Sequence, residues 1–268
     1  MKLAETFLAL PPARRARAFE QAAAGQAGLD VILEKDFWVS WLLGVLFTLP
    51  EIAPHLVFKG GTSLSKVFGV IDRFSEDIDL CLVPEFVGAD AAGFDALTSR
   101  GKRDAAVMEM QALCSAKAQA VLMPALEAAI AKALGASTTG SWLRFEVDAD
   151  AKSPIVYFAY PSTQGRGFDY LRREVKLELG TLTDQQPTGS YAIKPLLAEA
   201  FPKLFDGWNC NVTALELERT FRLTPAPQRQ ADLAQDYATM RPMFMTEPPP
   251  FAELMQQLAE AEAALNAQ

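Results

Sequence analysis

The sequence predicts an α+β (α/β) fold, in which helices flank a sheet and the C-terminal part is mainly helical. Segments with the two-residue period of strands alternate with helical segments up to about residue 190, and helical patterns dominate after it. The chain has 268 residues, of which 50% are hydrophobic and 22% are charged, so it is long enough to bury a sizeable core. These proportions exclude a disordered, collagen-like or coiled-coil protein. We therefore expect a core over residues 1–190 and a mainly helical region over residues 191–268.

The N-terminal part predicts two helices. Residues 13–28 are rich in alanine, and Gly28 is placed to end that helix. Asp30 is a suitable N-cap for a second helix, which runs to about Leu49. The apolar run Phe37–Leu49 is shorter than the roughly 20 residues that span a bilayer, and the N-terminus has no signal-peptide pattern. We expect a buried helix, no membrane segment and a cytoplasmic protein.

The middle of the chain predicts strands around a glycine turn. His55–Phe58 is a short apolar run that predicts a buried strand, and Thr62–Phe68 predicts the helix that follows the turn. Apolar and polar residues alternate over Ile78–Leu82, the pattern of a strand with one polar face. One long helix and three further strands are predicted beyond it, over Arg103–Leu134, Trp142–Val147, Ile155–Tyr160 and Glu174–Leu179.

Composition excludes several classes of chemistry. The three cysteines, Cys81, Cys114 and Cys210, are far apart, and His55 is the one histidine, so neither a disulfide framework nor a zinc site is expected. The net charge of -8 excludes a generic nucleic-acid coat protein, although local basic patches remain. The chemistry must therefore depend mainly on carboxylates, Lys and Arg side chains, hydroxyls and backbone amides.

The segment Phe58–Leu82, FKGGTSLSKVFGVIDRFSEDIDLCL, combines a strand, a glycine pair, hydroxyls at the start of a helix and two aspartates on a strand. Glycine lets a phosphate approach the backbone closely, and free amides at a helix N-terminus favour an anion. We therefore predict that this turn binds the phosphates of a nucleotide. The predicted nucleotide-binding residues are Gly60, Gly61, Thr62, Ser63 and Lys66.

Four charged residues on two strands are the predicted catalytic group. Asp77 and Asp79 are two residues apart, so they share one face of a strand, and paired carboxylates suit Mg²⁺ with nucleotide phosphates as further ligands. Lys176 and Glu178 share the face of another strand in the same way. We predict Asp77 and Asp79 as the Mg²⁺ ligands, and Lys176 as a phosphate-holding cation. Glu178 is either a third metal-facing carboxylate or the base that activates an attacking hydroxyl.

A second charged cluster has two interpretations. Glu34, Lys35 and Asp36 lie on one turn of the second predicted helix. In the first interpretation, the helix packs through its apolar side chains and the charges are solvated. In the second, Lys35 or Asp36 points toward the cleft, where it contacts the nucleotide or orders the glycine turn.

Several strings in the chain resemble the AbiEii/AbiGii-type nucleotidyltransferase toxins, a branch of the DNA polymerase β-like nucleotidyltransferase superfamily. The main one is FKGGTSLSKVFGVIDRFSEDIDL, and LEKDFWV and VKLELG resemble a helix and a lysine-bearing strand of the family. The C-terminal landmarks are LERTF (Leu217–Phe221) and DYATMRPMF (Asp236–Phe244).

The resemblance implies a nucleotidyltransferase fold, with a mixed β-sheet flanked by helices. It implies an enzyme that moves a nucleoside monophosphate from an NTP to an acceptor hydroxyl, with Mg²⁺ as cofactor and release of pyrophosphate. It further implies the toxin of a toxin–antitoxin or abortive-infection pair. RNA, and tRNA in particular, is the implied acceptor, and a cognate antitoxin protein is an implied partner.

The chain departs from the family pattern after Phe221. The family usually continues into a helix beginning WEK and a basic stretch with an Arg-His-Tyr-Asp-like motif, whereas here RLTPAPQRQADLAQDY follows at once. Asp232 and Asp236 are the candidate substitutes for the missing aspartate. Because the C-terminal segment is shortened, two alternatives stay open: a degenerate nucleotide-binding or interaction protein without turnover, and a kinase-like phosphotransferase on the same scaffold.

Overall fold

The computed structural model divides the chain into two compact units, Met1–Glu216 and Leu217–Gln268. The structure describes residues 6–69, 74–75, 77–95, 97, 99–164, 172–181, 187–216, 224–225, 227–240 and 248–266. The predicted domain boundary after residue 190 stays a prediction. The chain beyond that boundary still contributes a strand to the sheet of the first unit, because Asn211–Leu215 pairs with two other strands.

A seven-stranded mixed sheet forms the centre of the first unit, which confirms the predicted α+β class. Its strand order is β3-β4-β5-β2-β1-β7-β6. Strand β2 pairs antiparallel with β1 and parallel with β5, and β1 pairs parallel with β7. The strands are β1 Leu56–Lys59, β2 Asp77–Leu82, β3 Leu143–Val147, β4 Pro154–Ala159, β5 Glu174–Gly180, β6 Thr188–Ala192 and β7 Asn211–Leu215.

Helices of very different lengths accompany the sheet. The predicted long helix is confirmed, and a π-helical segment, Ala118–Leu122, divides it just before Pro124. Proline has no N–H to donate, so the backbone hydrogen bonds shift there. Helices with both ends among the described residues of the first unit are α1 Pro12–Ala22, α2 Leu29–Leu46, α3 Gly60–Lys66, α4 Pro84–Val87, α5 Ala91–Asp95, α6 Arg100–Lys117, α7 Met123–Leu134 and α8 Leu197–Ala200.

Helix α2 is the core element of the first unit. Its residues from Leu33 to Leu46 are all buried, including the charged ones. Trp38 stacks on Tyr160 with ring centroids 5.6 Å apart, and Trp41 stacks on Phe158 at 5.7 Å. Aromatic pairs of this kind add stabilisation beyond the area that they bury. The helix therefore holds the sheet in place from one side.

Two sequence predictions about local structure are wrong. The N-cap of α2 is Gly28, with φ +79°, and Asp30 lies inside the first turn. An aspartate suits both places, since it caps a helix and also interacts favourably with the helix dipole. Strands β6 and β7 lie outside the predicted strand set. The sequence of β6, TGSYA, contains a glycine, and β7 joins the sheet through long-range pairing with β1.

In the described ranges, one helix, Arg100–Leu134, is long and apolar enough to cross a membrane by length and composition alone.

Where the structure describes the second unit, it contains two helices, α9 Pro227–Met240 and α10 Phe251–Asn266. The Tyr237 hydroxyl donates a hydrogen bond to the Pro249 carbonyl at 2.7 Å, and the Tyr237 ring lies against Phe251. Asp232 and Asp236 are exposed on α9. The LERTF landmark lies outside the described residues, as do the last four residues of DYATMRPMF.

Candidate active site

The glycine turn joins β1 directly to α3. Gly60 has φ +74°, a left-handed conformation that side chains other than glycine rarely adopt. A Cβ atom at this position would lie 1.9 Å from Oδ2 of Asp79 and 2.8 Å from its Cβ. The backbone of the turn thus lies directly against the second aspartate of β2, and only glycine leaves room for it.

Strand β2 presents its two aspartates on one face. Ile78 and Leu80, which alternate with them, are completely buried on the other face. The register with β5 pairs Asp77 with Lys176 and Asp79 with Glu178. The structure therefore brings the four predicted catalytic residues together in two adjacent cross-strand pairs. We call Asp77, Asp79, Lys176 and Glu178 the charged row.

A fifth charged residue belongs to the same face. Lys59, the last residue of β1, pairs in register with Asp79 from the side opposite to Glu178. In the sequence it stands immediately before the glycine pair. Asp79 therefore lies between a carboxylate on one neighbouring strand and a lysine on the other.

The surroundings of Asp79 disfavour the ionised form of its carboxyl. Burial raises the pKa of the Asp79 carboxyl above its ordinary value, and the Glu178 and Asp77 carboxylates raise it further, while Lys59 and Lys176 act in the opposite direction. The Nζ atom of Lys176 donates a hydrogen bond to Oε1 of Glu178, and this bond raises the pKa of the lysine. A further positive charge beside Asp79 would stabilise its ionised form.

A pocket of about 170 Å³ opens beside the charged row. Lys59, Asp79 and Glu178 line it, together with Gln111 of α6 and Ser153 of the loop before β4. Gln111 is a residue that sequence reasoning missed, because nothing in the pattern of α6 distinguishes it from other buried helix positions.

The donor set of this pocket fits Mg²⁺. Mg²⁺ is commonly held by one or two carboxylates while water molecules and phosphate oxygens complete its shell. Asp79 lines the pocket and Asp77 lies on the same face of β2, so these two carboxylates are available to a cation. Within the described residues, no three His, Cys, Asp or Glu side chains form a ready-made cluster for a metal ion. The arrangement therefore resembles an open cation site that substrate oxygens complete, and it is unlike a closed structural metal centre.

The hydroxyls of the glycine turn are engaged inside the protein. Thr62 and Ser63 are both buried. The Thr62 hydroxyl donates to the backbone carbonyl of Asp77 and lies 2.7 Å from Oγ of Ser75. The Ser63 hydroxyl donates to the Gly60 carbonyl at 2.9 Å. These bonds connect the start of α3 to the start of β2, so a nucleotide-binding role for the two hydroxyls stays a prediction.

Lys66 lies in a buried ion pair. Its Nζ atom is 2.5 Å from Oδ1 of Asp36 and donates a hydrogen bond to Oγ of Ser40 at 3.0 Å. The other Asp36 oxygen accepts a hydrogen bond from the Leu196 backbone N–H at 2.7 Å. This ion pair fixes α3 against α2, and a direct contact of Lys66 with a nucleotide stays a prediction.

Glu34 completes a second charged group. Its carboxylate accepts hydrogen bonds from Oγ of Ser162 at 2.5 Å and from the backbone N–H and hydroxyl of Thr163 at 2.6 and 2.7 Å. Glu34, Lys35 and Asp36 are each at most 3% exposed. The interpretation as a solvated cluster is therefore wrong, because internal donors replace water around the carboxylates. We call Glu34, Asp36 and Lys66 the buried set.

A larger pocket, of about 500 Å³, lies between α6 and the segment containing α4 and α5. Its lining includes Phe94, Lys102 and Met110 and shares no residue with the pocket at the charged row.

Comparisons with known proteins bear on this site. A family model for the nucleotidyl transferase AbiEii toxin of type IV toxin–antitoxin systems matches residues 41–223. The matched range contains the glycine turn and the whole charged row. No curated protein matches the chain.

A solved structure is also similar to the chain. It is the nucleotidyltransferase toxin MenT4 from Mycobacterium tuberculosis H37Rv, with 18% sequence identity and a TM-score of 0.39. The match covers 84% of this chain and 59% of the MenT4 chain, so the present chain spans about three fifths of that length.

Proposed function

This chain belongs to the AbiEii family of nucleotidyl transferase toxins, and we propose that it transfers a nucleoside monophosphate from an NTP to an acceptor hydroxyl in a Mg²⁺-dependent reaction. The observation that carries the proposal is the register of β2 with β5. It sets Asp79 beside Glu178 and Asp77 beside Lys176, next to the glycine turn. Carboxylates with a neighbouring cation are the groups that phosphoryl transfer requires.

In the proposed site, Asp77 and Asp79 hold the cation. When bound, Mg²⁺ supplies positive charge that neutralises the triphosphate and the charge that develops on the reacting oxygens. The backbone of Gly60 and Gly61 approaches the phosphates, and the turn keeps the nucleotide close to Asp79. The contact between Gly60 and Asp79 supports this placement.

The remaining members of the charged row act on the reacting atoms. The acceptor oxygen forms a bond to the α-phosphorus, the bond from that phosphorus to its bridging oxygen breaks, and pyrophosphate leaves. The acceptor proton passes to the Glu178 carboxylate, and Lys176 offsets the negative charge on the phosphorus oxygens. The hydrogen bond from Lys176 to Glu178 keeps the two side chains next to each other on β5.

We propose RNA, with tRNA as the first candidate, as the acceptor, and a cognate antitoxin as the partner in the cell. The family description names a toxin of a toxin–antitoxin system. The register also places Arg144 opposite Tyr157, which in turn is opposite Lys176. The Arg144 guanidinium lies over the Tyr157 ring, 4.0 Å from the ring centroid. The charged residues on this face of the sheet therefore extend from the charged row to Arg144 on β3.

The test uses the full chain with total RNA, Mg²⁺ and each NTP in turn, labelled either at the α-phosphate or at the γ-phosphate. The proposal predicts label in RNA from an α-labelled NTP and none from a γ-labelled one. Chelation of Mg²⁺ with EDTA should abolish the labelling.

Three outcomes would contradict the proposal. Transfer of the γ-label to RNA would indicate the kinase-like phosphotransferase. Binding of an NTP without labelling of any acceptor would indicate the degenerate protein. The absence of both binding and labelling would overturn all versions of a nucleotide-dependent function.

A further inference from the structure

One row of side chains runs across four adjacent strands on the face of the sheet that carries the charged row. The register pairs Arg144 of β3 with Tyr157 of β4, and it pairs Tyr157 with Lys176 of β5. It also pairs Lys176 with Asp77 of β2. Residues that are paired across neighbouring strands lie on the same face of a sheet. Because β3 is the last strand at one edge of the sheet, the row leads from Asp77 to that edge.

Arg144 is held in place by three side chains although it is exposed. Its guanidinium carbon lies 4.0 Å from the centroid of the Tyr157 ring. One terminal nitrogen donates a hydrogen bond to Oε1 of Glu146, and the other is 3.3 Å from Oε2 of Glu174. The Arg144 side chain is nevertheless 46% exposed. A side chain that the protein itself already orders loses less conformational freedom when it binds a ligand.

The contacts of Arg144 decide what kind of ligand it can hold. A guanidinium is planar, with N–H donors along its edge and a flat face on each side. Tyr157 lies against one face, and the two glutamates take donors at the edge, so the face away from the ring is left for a ligand. The same glutamates offset the positive charge, which disfavours a phosphate at this place. The complement of this surface is a flat, uncharged π-system.

An unpaired nucleobase is such a π-system. Proteins that recognise single-stranded RNA stack its bases on aromatic rings and on guanidinium planes. Neighbouring strands are about 4.8 Å apart, so three strand intervals separate Arg144 from Asp77 by roughly 14 Å. About four nucleotides of a stacked strand span that distance, since the phosphates of one strand are about 3.4 Å apart along the helix axis. A base on Arg144 therefore lies within a few nucleotides of a hydroxyl that reacts at Asp77.

We propose that the Arg144 guanidinium, held on the Tyr157 ring, is a stacking platform for an unpaired base of the acceptor RNA. The platform holds the acceptor strand at the edge of the sheet, and Lys176 and Asp77 act at the other end of the same row. The inference rests on the proposed function, which supplies RNA as the acceptor and Asp77 as the place of transfer. It adds the class of acceptor, an RNA that is single-stranded near the reacting hydroxyl.

The experiment measures how well the full chain distinguishes RNA with bases from the same backbone without bases. The probes are a short fluorescent single-stranded RNA and a ribose–phosphate chain of equal length with abasic nucleotides throughout, and binding is followed by fluorescence anisotropy. The wild type should bind the RNA with bases at least about fivefold more tightly, the lower end of what one stacked base contributes. Arg144→Lys keeps the charge and removes the plane, so most of this preference should be lost. Tyr157→Leu, which removes the ring beneath the guanidinium, should also reduce the preference.

Arg172→Lys is the matched control. Arg172 also forms an ion pair with Glu174, but its side chain is 77% exposed. This variant should keep the wild-type preference for bases, and the melting temperature of each variant shows whether it is folded.

Three results would overturn the inference. They are equal binding of both probes by the wild type, an unchanged preference in a folded Arg144→Lys or Tyr157→Leu variant, and an equal loss of preference in Arg172→Lys. Failure of the proposed function gives a different result, in which Arg144→Lys loses the preference for bases that the wild type shows, while no RNA is labelled from an α-labelled NTP.

Discussion

The buried set and the charged row are both groups of carboxylates with a lysine, yet their surroundings differ. In the buried set, internal donors occupy both carboxylate oxygens of Glu34 and both of Asp36. In the charged row, Asp79 lies beside a second carboxylate, and its pKa is raised by burial and by neighbouring negative charge. The carboxylate oxygens of Glu34 and Asp36 thus all have donors inside the protein, whereas burial and the neighbouring carboxylates together disfavour the charge on Asp79 despite Lys59 and Lys176.

This difference separates a structural role from a functional one. Buried charges whose donors are all supplied by the protein stabilise one arrangement of the chain and leave nothing for a ligand to do. A carboxylate held next to another carboxylate raises the energy of the empty site, and a bound cation lowers it. We therefore assign the buried set to the support of α3 and the charged row to chemistry.

The largest expected effect is on the buried set. Asp36→Ala leaves the Lys66 ammonium buried without its partner and removes the acceptor of the Leu196 N–H. We expect a loss of about 3–5 kcal/mol in the free energy of unfolding, measured by urea denaturation. The exposed Asp206→Ala should change it by less than about 0.5 kcal/mol.

A double variant sharpens this prediction. Asp36→Leu with Lys66→Met replaces the ion pair by apolar side chains and should recover part of the lost stability, since the Leu196 N–H still lacks its acceptor. If Asp36→Ala unfolds at the urea concentration of the wild type, the buried set has no structural role. If the stable double variant no longer binds NTP, Lys66 contacts the nucleotide as the sequence predicted.

The next effect compares two glycines with the same backbone conformation. Gly25 has φ +81° and free space where a Cβ would stand, whereas at Gly60 that atom would collide with Asp79. Gly25→Ala should cost about 1–2 kcal/mol for the left-handed backbone alone. Gly60→Ala should cost more, because a Cβ–Cβ distance of 2.8 Å is not relieved by rotation of the Asp79 carboxylate. Equal costs in thermal or urea unfolding would show that the contact with Asp79 is unimportant.

The smallest expected effect is a stabilisation, whereas the preceding variants destabilise the fold. Asp79→Asn should raise the melting temperature in EDTA by a few degrees, because it removes a charge that the folded site disfavours. Since the folded pKa is raised above the ordinary 3.8, the gap between variant and wild type should be absent below pH 3.8 and should grow as pH rises through the folded pKa. A lower melting temperature at neutral pH would mean that the Asp79 charge stabilises the fold.

Local patterns in the sequence predicted a large part of this structure. The alternation over Ile78–Leu82 located β2, and the i, i+2 spacing put Asp77 with Asp79 and Lys176 with Glu178 on single strand faces. The pairing of β2 with β5, which brings the two pairs together, depends on contacts between segments about 100 residues apart. The family resemblance gave a reason to expect that β2 and β5 lie close together, whereas the spacing of residues within each strand did not.

Other features had no local signal. Asp36 and Asp79 are both aspartates in charged strings, and only the three-dimensional partners, Lys66 for one and Glu178 for the other, distinguish their roles. Gln111 is one polar residue on a long helix, and its unpaired oxygen becomes visible only when α6 is packed against the sheet. The partners that distinguish Asp36 from Asp79 come from segments far away in the sequence, so local sequence patterns do not reveal them.

The most direct test of the assignment is the rate of RNA labelling from an α-labelled NTP under single-turnover conditions, with two variants that each touch one charged group. Asp79→Asn alters the charged row, and Thr163→Val removes one hydroxyl bond to Glu34 in the buried set. Once both variants are shown to be folded at the assay temperature, we expect Asp79→Asn to lose transfer by roughly 1,000-fold or more, equivalent to about 4 kcal/mol. Thr163→Val should remain within about twofold of the wild type. Transfer retained in Asp79→Asn, or lost in a folded Thr163→Val, would contradict the account.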